Sequence, residues 1–347
     1  MSSLFGETVF TVGRQVYYWE DVVLAGLIRG EWALFERDLR YGLACLARAR
    51  AENVLPSKQE LQASAAAFRY ERDLISAEEA SGWLARWKVR PEDWMDYLRR
   101  AVLRSRWCAN TELIAERFPQ AEAEVDAARH AEAVCSGTLA RLARKLAERA
   151  ACTDALSHDT AIDHDAFADG DALIAAAEGL GIPRARSRQR LDVVRRVERS
   201  YLEFRRRVLT ACAISREIRT HQLDLTRVAC DSIAFESEGA ALEALLCLRA
   251  DRQSVRDVAM AAHRTSTAQR LYFDQLPSTI GDRLAGARQG EVFGPIVFDG
   301  KFVVLQVNGK ILPAEDDPEI ISRAESSLFS RVVQRDLMPV IQWQSAL

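Results

Sequence analysis

One change of rhythm constrains this chain more than any other feature. Apolar residues recur at helical spacing for about two thirds of its length and then, at Thr226, switch to a period of two. A side chain returns to the same face of a helix every ~3.6 residues and to the same face of a strand every second residue, so the switch divides a helical region from one that contains a sheet. Before it, Leu34, Leu39, Leu43 and Leu46 form one stripe, which Pro56 ends. Ser57-Lys-Gln-Glu60 and Ser76-Ala-Glu-Glu79 are capping boxes, in which a hydroxyl and a carboxylate satisfy free amide donors at a helix start. They open helices bearing Leu61, Ala65 and Phe68, then Trp83, Leu84 and Trp87. Pro91 suits the first turn of a helix with Trp94, Leu98 and Val102. Residues 121–151 predict a long helix or a helical pair, with Val125, Val134, Leu139, Leu142 and Leu146 on one stripe. Tryptophan at this spacing is core-forming, the alternative being an aromatic surface that grips an extended peptide. With 347 residues, 48% of them apolar, the chain can bury a large core in two or three domains. The expected fold class is α+β and mostly helical.

Composition narrows the function. The 47 basic and 50 acidic residues nearly cancel, so nothing draws the whole chain to nucleic acid or to an anionic membrane. The exception is local: Arg184, Arg186, Arg188, Arg190, Arg195, Arg196, Arg199, Arg205, Arg206 and Arg207 crowd one predicted helix whose apolar side is Leu191, Val194, Val197, Tyr201, Phe204 and Val208. Asp192, Glu198 and Glu203 interrupt the run, and internal neutralisation weighs against a nucleic-acid partner. Gly179-Leu-Gly181 follows a helix rather than a strand and so reads as a C-cap, not a nucleotide loop. The seven cysteines form no CxxC and no Cys/His pair, which suits reduced, mostly buried thiols. Without a basic flank followed by an apolar run at the start, and without any stretch near ~18 apolar residues, a cytoplasmic protein with no membrane partner is expected. His158, Asp159, Asp163, His164, Asp165, Asp169 and Asp171 collect ligand-type side chains, yet the five residues between the histidines match no compact ligand pair. No metal and no cofactor are expected.

From Thr226 the order of predicted elements becomes specific. Val228–Phe235 reads as a strand, Ala240–Leu248 as a helix, then come helices over about 254–262 and 277–287, the turn Gly290-Glu-Val-Phe-Gly294-Pro-Ile296, and the strand Lys301–Val307 after Asp299-Gly300. This order, with that turn before the last strand, resembles the parvulin-type peptidyl-prolyl isomerases over about 226–310. The preceding helical region and the predicted closing helix are similar to parvulin-type chaperones, in which a C-terminal helix returns to complete the N-terminal domain. A cytoplasmic chain of this build also resembles the putative maturation proteins that accompany ribosomally made, modified peptides. The implied organisation is an N-terminal helical domain over 1–109, a helical extension over 110–225, a parvulin-like domain over 226–312, and a C-terminal helical segment over 313–347 that packs on the N-terminal region.

The resemblance also implies site residues. Active members carry a histidine in the first strand, matched here by Ser232, and another in the last, matched by Val303. The family's central Cys or Asp falls near Ser266 or Thr267, and its glycine-rich turn is replaced by Arg270, Leu271 and Tyr272. The apolar proline pocket maps to Leu276 and Ile280, with Tyr272, Phe273, Phe298 and Phe302 as further peptide-binding candidates. An apolar pocket without the polar cluster binds ground states as well as the twisted amide and accelerates little. The expected function is therefore a non-catalytic chaperone or escort for a peptide or unfolded polypeptide, such as a precursor (leader) peptide and the enzymes that modify it. The alternative is a working prolyl isomerase with an altered site.

Overall fold

The computed structural model describes residues 4–156, 170–251, 253–273, 278–298 and 300–344. It is an α+β protein, 65% helical, with fifteen α-helices and two small antiparallel sheets among the described residues. The chain forms two compact units, residues 1–205 with 333–347, and residues 206–332.

The first unit opens on a hairpin, β1 (Thr8–Val12) and β2 (Gln15–Tyr18), that the helical reading of this region had not anticipated. Helix α1 (Trp19–Ile28) follows, buried nearly all round, as expected of a helix at the centre of a core. It packs against α2 (Glu31–Ala51) and α8 (Thr138–Ala155). Helices α3 (Lys58–Tyr70), α4 (Ala77–Arg86), α5 (Pro91–Arg106), α6 (Thr111–Arg117) and α7 (Glu122–Cys135) surround α2 or one another. Both capping boxes form: the Ser57 and Glu60 groups bond reciprocally at 3.2 and 2.7 Å, those of Ser76 and Glu79 at 3.1 and 2.7 Å. Residues 121–151 resolve into a helical pair, broken at Gly137. The tryptophans line a core: Phe68 meets the rings of Trp83, Trp94 and Tyr97, and Trp87 stands between Trp83 and Trp19.

After α9 (Gly170–Gly179), the arginine-rich α10 (Arg184–Val208) follows. Its first half is held by acids from α1: Arg186 meets Glu20 at 2.5 Å, and Arg190 grips both Asp21 oxygens at 2.7 and 2.5 Å. Glu20 and Asp21 are fully buried, and burial pushes the Asp21 carboxyl up against the pull of Arg190. Glu198 lies between Arg29, at 2.7 Å, and Arg149. Arg195, Arg199, Arg205, Arg206 and Arg207 are engaged as well. Of the acidic stretch considered for metal, His158, Asp159, Asp163, His164, Asp165 and Asp169 lie outside the described residues. Asp171 pairs with Arg184 at 3.9 Å.

The second unit contains α11 (Ala211–Thr220), β3 (Arg227–Phe235), α12 (Glu238–Arg249), α13 (Val255–Ala261), β4 (Ser266–Tyr272), α14 (Ser278–Gly286), β5 (Val292–Phe298), β6 (Lys301–Ile311) and α15 (Pro318–Val332). Its strands run in the order β4-β3-β6-β5, each pair antiparallel. The segments at 266–272 and 292–298 are strands, where the sequence had suggested only pocket residues and a turn.

The expected division of the chain differs at two places. The 110–225 extension is not a body of its own: through α9 and most of α10 it belongs to the first unit, while α11 belongs to the second. The closing helical segment, expected over 313–347, is α-helical only from Pro318 to Val332; a π-helical turn, Val333–Leu337, and a 3-10 turn, Met338–Val340, with Pro339 in it, carry the chain on. Its apolar face, Ile320 and Ala324, packs on Ile218, Leu225 and Tyr272 within the second unit. Only the segment from Val333 joins the first unit, through a π-helical turn and a short strand, β7 (Ile341–Trp343), that pairs with β1 in a sheet ordered β2-β1-β7.

Candidate functional site

The sheet of the second unit has two unlike faces, set by the alternation along β3. Ile233 and Phe235 point to the face covered by α12 and α13, where they join Ala241, Leu245, Val258, Val292 and Val304. Val228 and Cys230 point to the other, where they meet Phe293, Leu305, Val307 and, from α14, Leu284. Helix α14 covers only part of that second face. Leu271, Phe273, Ile280 and Ile296 pack against its core while staying partly exposed.

The register carries this face beyond α14. Ser232 stands two residues past Cys230 and opposite Leu305; Val303 stands two before Leu305, between Ala234 and Ile296. Phe298, two residues past Ile296, lies on the same side and is 48% exposed. The half-open apolar surface thus combines Phe273, Ile280, Ile296, Val303 and Phe298. Leu276 lies outside the described residues.

Two candidates turn the other way. Tyr272 is buried under α15, with the Arg323 guanidinium 3.9 Å from its ring, and burial pushes its phenol up to about 12. Phe302 packs into the α12 core. Each stands one residue from a position on the α14 face, and one residue along a strand reverses the side chain.

The turn motif is explained by backbone geometry. Gly290 has φ +85° and donates its amide to the Val307 carbonyl at 2.7 Å, while the Glu291 carboxylate accepts from the Arg288 amide at 3.0 Å. Gly294, at φ +145°, sits in the β5 bulge, where an added Cβ would stand 2.9 Å from the Val303 carbonyl oxygen. Only glycine fits there.

No known protein family's sequence profile matches the chain, and no curated protein is similar to it in sequence. What the face can do therefore rests on its own chemistry. Ser232 is 7% exposed; its hydroxyl donates to the Thr267 carbonyl at 3.3 Å and accepts from the Gln269 amide at 2.7 Å. Its hydrogen is committed to a backbone oxygen, and no base stands beside it among its described partners. Cys230 is the titratable group buried on this face, and burial, with Asp231 next to it, pushes the thiol up to about 11. A thiol held protonated is neither nucleophile nor general base at neutral pH. Ser232 is thus a hydrogen-bonded hydroxyl and Val303 an alkyl side chain.

The edges of the sheet differ as well. β5 is interrupted by its bulge and by Pro295, which has no amide to donate, so this edge is poor at pairing. β4 pairs with β3 in unbroken register from Ser266 to Tyr272 and carries no proline. Among the described residues its other edge has no strand partner. Sequence reasoning missed β4 because only Leu271 and Tyr272 in it are large and apolar, leaving no alternation to read.

Proposed function

We propose that the second unit is a parvulin-like module that binds extended apolar peptide segments on its α14 face without speeding prolyl isomerisation. In this reading the protein is a chaperone or escort, its partner a precursor peptide presented to modifying enzymes. One observation carries the reading: Phe273, Ile280, Ile296, Val303 and Phe298 form a half-open apolar surface whose polar groups are the buried Ser232 bonded to the half-buried Gln269, and the protonated Cys230. Burial of apolar groups needs only shape and surface, whereas catalysis needs polar groups aimed at the twisted amide. The strand-helix-helix-strand-helix-strand-strand order, with the glycine-proline bulge before the last strand, supports the family resemblance. The free edge of β4 offers backbone groups to an extended chain.

The test pairs two measurements on one preparation, a titration with a fluorescent proline-containing apolar peptide and an isomerisation assay on a proline tetrapeptide. Saturable binding with an isomerisation rate equal to the buffer blank is expected. Acceleration typical of a parvulin, lost in Ser232→Ala, would overturn the reading in favour of an isomerase. Absence of binding would remove it altogether.

A further inference from the structure

Strand β4 is an open edge, and its pairing with β3 fixes which of its backbone groups are open. The Thr267 carbonyl accepts from the Ser232 hydroxyl at 3.3 Å and the Gln269 carbonyl from the Cys230 thiol at 3.9 Å, so both face β3. Successive residues of an antiparallel strand turn their N–H and C=O to opposite sides, so those of Ala268 and Arg270 face away from β3, with Ser266 and Tyr272 in the same phase at the ends. Ala268 and Arg270 are exposed, and among the described residues nothing bonds these backbone groups. The strand has no proline, bulge or lysine of the kind that blunts an edge. Side chains supply a second observation. On the face opposite α14, the register sets Ala268 beside Asp231 of β3 and Arg270 beside Ala229. Asp231 is half-buried, and among the described residues its carboxylate has neither an ion pair nor a hydrogen bond; the exposed Arg270 guanidinium has none either. An acid in the sheet and a base on its rim thus stand close within one chain without meeting.

We infer that two copies of the chain pair through β4, antiparallel about a two-fold axis at Gln269, and join their four-stranded sheets into one. This register spans the whole strand: the outward groups of Ala268 exchange hydrogen bonds with those of Arg270 of the second copy, and Ser266 does so with Tyr272 of the second copy. It also brings the charges together. Arg270 of the second copy lies opposite Ala268 and in one row with Asp231, about 10 Å or two strand spacings away, and the small Ala268 methyl lets the guanidinium lie across it to the carboxylate. The two Arg270 side chains fall on a diagonal, about 7 to 8 Å apart at its base, and each is drawn from the other by the acid it reaches. On the α14 side Gln269 meets its own equivalent. Its amide nitrogen gives one hydrogen to Ser232 at 2.7 Å, which leaves the second hydrogen and the amide oxygen for the facing amide. An unrelated peptide would need a cation at that one position to do the same, whereas a second copy carries it by symmetry. This pairing needs no peptide and does not depend on the peptide-binding reading.

Sedimentation velocity of the full chain over about 1 to 200 µM, the range of a small transient interface, should show monomer passing into dimer, with amide exchange over 266–272 slowing in parallel. Ala268→Pro removes an outward N–H that serves nothing in the single chain, so the dimer should weaken by about tenfold or more at little change in melting temperature. Arg270→Asp sets acid against Asp231 across the two-fold axis and should weaken the dimer by a similar factor. Adding Asp231→Arg in the same chain exchanges the two charges and should restore it. A chain that stays monomeric throughout the range, or a dimer that keeps its affinity in both Ala268→Pro and Arg270→Asp, would overturn the pairing. So would exchange at 266–272 that slows only on adding a proline-containing apolar peptide, which would assign the edge to that ligand.

Discussion

The first unit buries acids against arginines: Glu20 with Arg186, Asp21 with Arg190, Glu198 with Arg29 and Arg149, and Glu132 with Arg100 at 2.9 Å. The α14 face of the second unit holds serine, glutamine and a protonated thiol in the corresponding places. The contrast separates two uses of polar groups. Paired charges fix α1 and α8 against α10 and α5 against α7, because removing either partner strands the other in a medium that solvates it poorly. Neutral, mutually bonded groups leave a surface from which an apolar ligand can displace water at little polar cost. An arginine-rich helix can therefore be a structural element, and a half-open apolar face can carry neutral polar groups that need no counter-charge.

The largest expected effect tests the first half of that contrast. Glu198→Ala removes the buried acid shared by Arg29, which keeps Glu31 at 2.7 Å, and the half-buried Arg149, at a cost of about 2 to 3 kcal/mol. Thermal unfolding should show the first unit melting well below its wild-type temperature, with the second unit's amide exchange unchanged. If melting is unaltered, the buried pairs are not what holds these helices together.

The second half is tested by filling the half-open face. Ile280→Trp adds bulk beside Phe273 without introducing charge, and peptide affinity should fall by about tenfold or more, the equivalent of about 1.4 kcal/mol. Wild-type affinity in this variant would place the ligand elsewhere.

How far these residues could be read in advance follows the range of the interactions. Capping boxes were legible because their bonds close within four residues, and the C-cap at Gly181 likewise. The β1–β2 hairpin carried a local signal too, β-branched and aromatic runs either side of Gly13-Arg14, which a helical reading starting at Trp19 passed over. The end of α15 at Val332 carried no such signal, because the apolar spacing runs on through Val333, Leu337, Val340 and Ile341. The side of the sheet to which Tyr272 and Phe302 turn was not legible. It depends on register against β3 and β6, and a register is a property of strands far apart in sequence.

A smaller effect distinguishes the units by pH. Cys230 ionises near 9 in an unfolded chain but at about 11 in the folded one, so above pH 9 the unfolded state binds fewer protons and stability is lost as pH rises from 9 to 11. Below pH 9 the contribution is fully present. In the first unit Cys135 and Cys152, both pushed up to about 12 by burial, give a window extending to pH 12. Cys230→Val should flatten the alkaline slope of the second unit's unfolding and leave that of the first unit as it is. Equal slopes with and without Cys230 would mean that the thiol is not buried as described.

The smallest expected effect is the most informative about chemistry. Ser232→Ala removes the hydroxyl that links Thr267 to Gln269. Gln269 is only half-buried, so water can take over its amide, and the stability cost should be about 1 kcal/mol or less. The Cβ stays in place on the α14 face, so apolar contact with a peptide is retained and affinity should change by less than about twofold, under ~0.5 kcal/mol. A catalytic hydroxyl would behave differently, because a group that stabilises the transition state lowers turnover far more than it lowers ground-state affinity when it is removed. Peptide affinity and isomerisation rate measured side by side on Ser232→Ala therefore decide between the two readings. A preserved Kd with no rate to lose keeps the face as a binding surface. A preserved Kd with a rate that collapses would mean that this neutral pair is catalytic.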